Sequence, residues 1–317
     1  MSEPRSTEAA TLRPEPVALT CADGQRLQGH FFPARGDAAA APVLISPATG
    51  VRQQFYWRFA DWLASQGHAT LVFDYRGIGL SLDGRLADSR ARLVDWGRQD
   101  QVAALQWLLE RSGAQRVVLV GHSAGGQMIG LLPIHDRIER VVGVAASTGW
   151  FGGMRLAFAL RARLGLRLLM PLGTLMRGYA PTSWLGLGEN LPAQVARQWG
   201  QWCAAGGYAT NAVRAGLADD FHARVRTPIV VLHAEDDDIA NPVTVADLLR
   251  TLPASPSAAL QVRPRDHGLR AIGHLDWFRQ SHQAVWPLLR RAVLGEIPVE
   301  APGARVARIP HLPGARV

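Results

Sequence analysis

A serine between two glycines is the clearest candidate for chemistry in this chain. Gly121-His122-Ser123-Ala124-Gly125 has the spacing Gly-x-Ser-x-Gly and directly follows the apolar run from Val117 to Val120. A chain that reverses sharply from strand to helix holds such a serine on a strained turn, and the glycines avoid collisions there. We therefore predict that Ser123 is a nucleophile at the carboxyl edge of a sheet. The alternative is a glycine-rich packing turn with an ordinary serine.

A serine nucleophile needs a base and an acid, and on such a turn these follow it in the order acid, then histidine. The acidic run Glu235 to Asp238 follows an apolar strand, and His267 and His274 come after the next predicted strand. We predict that His274 is the base, because its loop is long enough to fold back over the sheet edge, with His267 as the alternative. The residues alone leave the choice within the acidic run open.

Backbone N–H groups near the serine are candidates for binding a developing oxyanion. The N–H of Ala124 follows the nucleophile directly and would lie at a helix N-terminus, with the helix running on through residues 127–132. A second donor is expected from the loop after the third strand, Ser46 to Gly50. We predict Thr49 as this donor and Ala48 as the alternative, since Pro47 has no N–H to donate.

The elements that must position these residues alternate between short apolar strands and helices. This alternation predicts βαβ units and a mostly parallel sheet, an α/β fold. Predicted strands cover 17–20, 27–32, 43–46, 69–73, 116–120, 141–146, 228–233 and 259–262, with helices at 55–65 and 93–111. Residues 151–223 break the alternation and are predicted as a helical cap. The core then comprises 17–150 and 224–295, with flexible tails at 1–16 and 296–317.

Composition excludes several classes of protein for this 317-residue chain. The formal net charge is +8, but all 34 basic residues are Arg and they are scattered, which argues against nucleic-acid binding. Two distant cysteines, Cys21 and Cys203, make neither a disulfide framework nor a metal set, and no metal or organic cofactor is predicted. No run of about 18 uncharged apolar residues exists, so stable membrane insertion is not expected. The polar N-terminus lacks a signal peptide, which predicts a cytoplasmic location.

Four separated motifs together resemble the α/β-hydrolase superfamily. They are the loop at 47–50, the segment 74–81 with the sequence DYRGIGLS, the glycine-flanked Ser123, and the late Asp and His. More narrowly, the chain resembles a bacterial group of predicted α/β hydrolases near the serine aminopeptidase and monoacylglycerol-lipase-like families. The resemblance implies an eight-stranded sheet with a cap between strands six and seven. It does not imply a substrate, because this fold hosts many reactions.

The resemblance also narrows the choice of acid. In such proteins the acid lies three residues after a small residue that ends the strand. Here Ala234 is that residue, so Asp237 is the predicted acid and Asp238 the alternative. The expected function is hydrolysis of a carboxylic ester through Ser123, His274 and Asp237, and the expected partner is a small-molecule, apolar acyl substrate. The alternatives are a peptidase, a thioesterase, an acyltransferase, or a catalytically silent scaffold that only binds.

Overall fold

An eight-stranded sheet forms the centre of the molecule. The computed structural model describes residues 14–36, 40–186 and 188–302. In chain order, the strands are β1 (Glu15–Thr20), β2 (Arg26–Phe32), β3 (Val43–Ser46), β4 (Thr70–Phe73), β5 (Val117–His122), β6 (Ile138–Val144), β7 (Tyr179–Ala180), β8 (Leu191–Pro192), β9 (Ile229–Ala234) and β10 (Ser257–Val262). The sheet has the order β1-β2-β4-β3-β5-β6-β9-β10, while β7 and β8 pair separately.

In the large sheet, the neighbouring strands β4-β3-β5-β6-β9-β10 run parallel. Only the β1–β2 and β2–β4 pairs are antiparallel. Strands β3, β4, β5 and β9 are buried along their whole length. Their apolar, β-branched residues suit this environment, because a parallel sheet is covered on both faces. The predicted α/β fold with a mostly parallel, eight-stranded sheet is confirmed.

The helices of the described residues pack against this sheet or lie in the segment between β6 and β9. They are α1 (Trp57–Ser65), α2 (Leu93–Asp95), α3 (Gln101–Ser112), α4 (Leu156–Leu164), α5 (Met170–Arg177), α6 (Ala193–Ala204), α7 (Thr210–Arg214), α8 (Pro242–Arg250) and α9 (Trp286–Val293). Helices α1 and α9 share a face of the sheet, because Phe59 and Trp62 of α1 contact the ring of Trp286. Asn241 and Thr244 form a capping box that starts α8 immediately after the acidic loop.

Two predicted helices differ from those in the structure. The helix predicted at 93–111 contains a π turn, Trp96–Asp100, between α2 and α3. The helix predicted at 127–132 is replaced by separate 3₁₀ turns, Ser123–Gly126 and Ile129–Leu131. The glycine-rich sequence explains this difference, since glycine is a poor helix former and Gly126 and Gly130 lie against other parts of the chain. The donor predicted at Ala124 therefore lies in a 3₁₀ turn.

The boundaries between the core and the two terminal tails differ from the predicted ones. Strand β1 begins at Glu15, two residues inside the predicted N-terminal tail, because its backbone pairs with β2 from that point. Within the predicted C-terminal tail, Ile297 is buried and Glu300 pairs with Ser257 at the edge of β10. An apolar side chain and an open strand edge explain why these residues pack. The remaining tail residues, 1–13 and 303–317, lie outside the described part of the chain.

Residues 151–223 lie between β6 and β9, the sixth and seventh strands of the large sheet in chain order. This segment, called here the inserted segment, contains α4 to α7 and the β7–β8 pair. A π turn, Gly165–Leu169, joins α4 to α5, so that 156–177 form one long helical stretch. In the described part of the chain no helix is both long and apolar enough to cross a membrane.

A buried ion pair holds the loop that follows β4. The guanidinium of Arg76 contacts Asp100 at 2.6 Å and Asp23 at 2.6 Å, and the Asp100 side chain is fully buried. The backbone N–H of Arg76 and the thiol of Cys21 also donate to Asp100. The neighbouring Tyr75 hydroxyl contacts Ser46 at the end of β3, so this ion pair supports the edge of the sheet that carries Ser123.

Removing Arg76 should be much more damaging than removing an exposed arginine. We expect Arg76→Met to lower the free energy of unfolding by about 3–5 kcal/mol, because it leaves the Asp100 carboxylate buried without its partner. Arg85→Met is the matched control, since that side chain is 83% exposed and its loss should change stability by less than about 0.5 kcal/mol. Urea unfolding measures both values. A loss below about 1 kcal/mol for Arg76→Met would contradict the role assigned to the pair.

Candidate active site

The turn after β5 holds Ser123 in a strained backbone conformation. Its φ angle is 48°, in the left-handed region that non-glycine residues rarely adopt. A β-carbon at Gly121 would lie 2.3 Å from the backbone of Gly126, and one at Gly125 would lie 2.0 Å from the carbonyl oxygen of Ser46. No side chain fits at either glycine, which is the physical reason for the spacing Gly-x-Ser-x-Gly. The turn lies at the carboxyl end of β5, at the predicted sheet edge.

The structure brings Ser123, His274 and Asp237 into one hydrogen-bonded chain. The Nε2 atom of His274 lies 3.0 Å from the hydroxyl oxygen of Ser123, and its Nδ1 atom lies 2.8 Å from a carboxylate oxygen of Asp237. With Asp237 ionised, Nδ1–H donates to the carboxylate and Nε2 accepts from the hydroxyl. His267, the alternative base, lies in the turn Pro264–His267 and does not line the cavity that contains Ser123.

The surroundings of Asp237 keep its carboxylate charged. Burial by itself would raise its pKa, but the facing imidazole of His274 and two backbone N–H groups together lower it. The N–H groups of Ile239 and Ala240 add to this effect, donating to the second carboxylate oxygen at 2.8 and 2.9 Å. All the partners of Asp237 thus favour an ionised acid that fixes the orientation of the His274 ring.

The three consecutive aspartates have three different partners. Asp236 accepts the N–H groups of Ile272 and Gly273, at 3.0 and 3.1 Å, and so holds the backbone just before His274. Asp237 faces the imidazole, whereas Asp238 pairs with Arg155 of the inserted segment at 2.6 Å. The alternative acid, Asp238, therefore does not reach the base. The sequence analysis did not anticipate the contact that Asp236 makes.

The loop after β3 carries the second predicted oxyanion donor. The N–H of Ala48 already donates to the hydroxyl of Tyr56 at 2.9 Å, which argues against Ala48 as a donor to substrate. Thr49 is the next residue and lines the same cavity as Ser123. Thr49 therefore stays the predicted second donor. Ala124, the other predicted donor, is buried in the turn directly after Ser123.

A buried relay joins this loop to the loop of the base. The hydroxyl of Tyr56 accepts from Ala48 N–H and lies 2.8 Å from Nδ1 of His122, and Nε2 of His122 lies 2.9 Å from the carbonyl oxygen of His274. A carbonyl only accepts, so Nε2–H donates to it and Nδ1 accepts from Tyr56. Both rings are fully buried. His122 is thus a structural neighbour of the nucleophile, and Tyr56 joins it to the loop after β3.

Ser123 and His274 open into a cavity of about 470 Å³. The inserted segment supplies much of its lining, which is mainly apolar. The residues from this segment include Phe151, Met154, Phe158, Leu166, Trp199 and Tyr208. Another cavity, of about 540 Å³, lies between α5 and α6 and contains neither Ser123 nor His274. Among the described residues, no three His, Cys, Asp or Glu side chains are grouped as metal ligands would be.

Tyr208 is a lining residue that the sequence analysis did not single out. It is almost fully buried and has a φ of 42°, the same unusual region as Ser123. Its ring packs edge-on against Trp202 at 5.1 Å. Burial raises the pKa of its hydroxyl well above the usual value, so the group stays protonated. No local sequence pattern marks such a residue, because its place in the cavity depends on how the inserted segment folds.

His122 should make the protein sensitive to acid. Burial, with a contribution from His274, lowers the pKa of His122 to about 3. An unfolded histidine binds a proton near pH 6.5, so unfolding takes up a proton below that pH and stability falls. We expect this group to contribute up to about 1.4 kcal/mol of lost stability per pH unit between pH 6 and 4.

His122→Gln tests this expectation, because it removes the titrating ring. Unfolding free energies measured at pH 7, 6, 5 and 4 should fall less steeply for the variant than for the wild type. The absolute stability at pH 7 will also be lower, since the relay is interrupted, and so the slope is the informative quantity. Equal slopes for the two proteins would show that His122 is not held neutral in the folded state.

The fold is similar to that of several solved structures, among them a lipase and an esterase domain. A soluble variant of monoglyceride lipase from Saccharomyces cerevisiae, in complex with a substrate analog, superimposes with a TM-score of 0.67 and 15% identity, covering 93% of this chain and 100% of that one. The esterase domain of a Rhodothermus marinus protein gives a TM-score of 0.55 and 18% identity over 89% and 98% of the two chains. At these identities the likeness establishes the fold alone.

Sequence comparisons give the family. A protein named YfhR from Escherichia coli K12, itself uncharacterized, is 34% identical over 120 residues, which are 36% of this chain and 40% of that protein. The matched region is thus well under half the length of this curated relative. The model of the alpha/beta hydrolase family matches residues 43–304, which include the turn at Ser123, the acidic loop and His274. The chain therefore belongs to the alpha/beta hydrolase family.

Proposed function

We propose that this protein is a serine hydrolase that cleaves carboxylic esters with an apolar acyl group. The observation that carries the proposal is the hydrogen-bonded chain from Ser123 through His274 to Asp237, with distances of 3.0 and 2.8 Å. In such a chain the base can take the proton of the nucleophile without rearrangement. The lipase- and esterase-like structural neighbours support the same reaction class.

The mechanism follows from this geometry. The Ser123 oxygen attacks the acyl carbonyl while Nε2 of His274 takes its proton, and an ester bond to Ser123 forms as the leaving alcohol receives that proton. Asp237 stabilises the imidazolium that exists between these steps. Water then attacks the acyl-enzyme with His274 again as base, releasing the carboxylic acid and restoring Ser123. The N–H groups of Ala124 and Thr49 would stabilise both oxyanions, by about 3 kcal/mol per donor.

The lining of the cavity favours an ester of an apolar acid over an aminoacyl substrate. Among the described residues that line it there is no Asp or Glu. A site for a free α-amino group would need a buried carboxylate or a set of carbonyl acceptors to receive the ammonium. The aromatic and aliphatic lining instead suits hydrocarbon, which binds by leaving water. We propose that the inserted segment acts as the cap over Ser123 and forms the acyl pocket.

Labelling by a fluorophosphonate probe is the direct test of the proposal. We expect the probe to modify Ser123 covalently, so that Ser123→Ala is neither labelled nor able to hydrolyse p-nitrophenyl esters above the small residual rate from binding alone. Ser281→Ala, at an exposed serine, is the control and should react as the wild type does. Circular dichroism verifies that each variant is folded. A wild type that is never labelled would indicate a silent scaffold instead.

Asparagine variants at 236, 237 and 238 test the assignment of the acid. Asp237→Asn should lower turnover by around 10⁴-fold at pH 8, because an amide permits the wrong imidazole tautomer, as it does in chymotrypsin-type proteases. Asp236→Asn should lower turnover about tenfold, since an amide nitrogen replaces one of the two oxygens that hold the backbone before His274. Asp238→Asn should have little effect, because its partner is the exposed Arg155.

The order of these three effects is the informative result. A crippled Asp238→Asn variant with an active Asp237→Asn variant would contradict the geometry. Three near-normal turnover rates would show that the acid lies elsewhere.

A panel of p-nitrophenyl esters from acetyl to octanoyl, with matching thioesters and aminoacyl anilides, tests the acyl preference. A strong preference for acetyl over octanoyl would contradict the apolar pocket.

A further inference from the structure

The long helical stretch of the inserted segment exposes an unusual amount of apolar surface. Of the twelve large apolar side chains that are exposed in the described residues, nine lie between 156 and 184. Leu175 is 84% exposed, Met176 76% and Leu156 72%. Large apolar side chains exposed together in one segment mark an interaction site on a protein surface. The nine residues are Leu156, Leu160, Leu164, Leu168, Leu169, Leu172, Leu175, Met176 and Trp184, called here the leucine face.

Positive charge surrounds the leucine face. Residues 151–188 contain five arginines and no acidic residue. Arg155 pairs with Asp238, and Arg177 stacks on Trp184 with its guanidinium 3.8 Å from the ring centroid. The other three, Arg161, Arg163 and Arg167, make no ion pair within the described residues. A surface that combines exposed leucine, an exposed tryptophan and unpaired arginine has the composition of an interfacial helix.

The charge decides between the possible occupants of this face. In a symmetric dimer each copy would bring its own arginines toward those of the other, and like charges facing each other oppose association. A bilayer with anionic headgroups instead offers hydrocarbon to the leucines and negative charge to the arginines. We propose that the leucine face is a docking surface for an anionic lipid bilayer, where the protein lies on the interface without crossing it.

The leucine face is continuous with the cavity that contains Ser123. Leu164 and Leu169 are 52% and 41% exposed, and both also line that cavity. Docking would therefore place the rim of the cavity against lipid, so that an apolar ester could enter without crossing water. This consequence rests on the proposed function. The docking itself does not, and the two can be tested separately.

Co-sedimentation with vesicles tests the docking. We compare vesicles of phosphatidylcholine alone with vesicles that also contain phosphatidylglycerol. The wild type should bind the anionic vesicles at least about tenfold more tightly, and raising the salt should weaken this binding. A triple variant, Leu172→Ser, Leu175→Ser and Met176→Ser, should bind them at least about tenfold more weakly. Arg163→Gln with Arg167→Gln should reduce the preference for anionic vesicles and its salt dependence.

Matched controls come from elsewhere on the surface. Leu80→Ser with Leu294→Ser removes exposed leucines outside the inserted segment, and Arg85→Gln removes an exposed arginine, so both proteins should bind vesicles as the wild type does. None of the substituted residues lines the cavity of Ser123. Hydrolysis of a water-soluble short-chain ester should therefore stay within about twofold of the wild type in every variant.

Several outcomes would overturn the proposal. A wild type that binds neither kind of vesicle at low salt would contradict it, as would a triple variant that binds as tightly as the wild type. Sedimentation velocity without lipid gives a further check. A dimer that the triple variant abolishes would identify a second copy as the occupant. Vesicle binding in a protein that hydrolyses no ester would leave docking intact and refute only the proposed function.

Discussion

The close approach of the turn after β5 to the end of β3 is the contact on which the site depends. The Ser46 carbonyl occupies the space that a side chain at Gly125 would need, and so β5 can reverse only through glycine. Gln101 of α3 reinforces the contact, because its amide donates to both the Ser46 hydroxyl and the Gly125 carbonyl at 2.7 Å. The strain at Ser123 persists because these neighbours leave the chain no alternative path.

Other parts of the site are joined to this turn by buried polar contacts. The relay of Tyr56 and His122 connects the loop after β3 with the loop that carries His274. The acidic loop contacts three places at once: the backbone before His274, the imidazole itself and the inserted segment. A buried hydrogen bond is costly to leave unmade, so each contact restricts the movement of the loops relative to Ser123. Under the proposed function, this arrangement requires little reorganisation for proton transfer.

The inserted segment has two apolar surfaces with different surroundings. Its inner surface lines the cavity above Ser123, where aromatic and aliphatic side chains are sheltered by the core. Its outer surface exposes leucines among arginines. A helix that is apolar on all sides normally lies inside a protein or in lipid. The absence of acidic residues from 151–188 in the sequence distinguishes this segment from an ordinary solvent-exposed helix.

The sequence by itself determined the sheet, the position of the serine turn and the order of serine, acid and histidine. These features are local, since apolar runs, glycine spacing and chain order are properties of neighbouring residues. The residue pattern left open which carboxylate of 235–238 is the acid, and only the resemblance indicated Asp237. The residue pattern also predicted a helix after Ser123, where the packing around Gly126 and Gly130 allows only 3₁₀ turns.

Only the tertiary structure decided which side chains meet. Adjacent residues that leave a strand point in different directions, so Asp236, Asp237 and Asp238 separate toward different partners. His274 lies 37 residues from Asp237 and 151 residues from Ser123 in the chain. Contacts over such separations depend on how the loops pack at the sheet edge, which no local pattern encodes. The hydrogen bond from the Ala48 N–H to Tyr56 also depends on this tertiary packing. The position of Thr49 in the cavity depends on it as well.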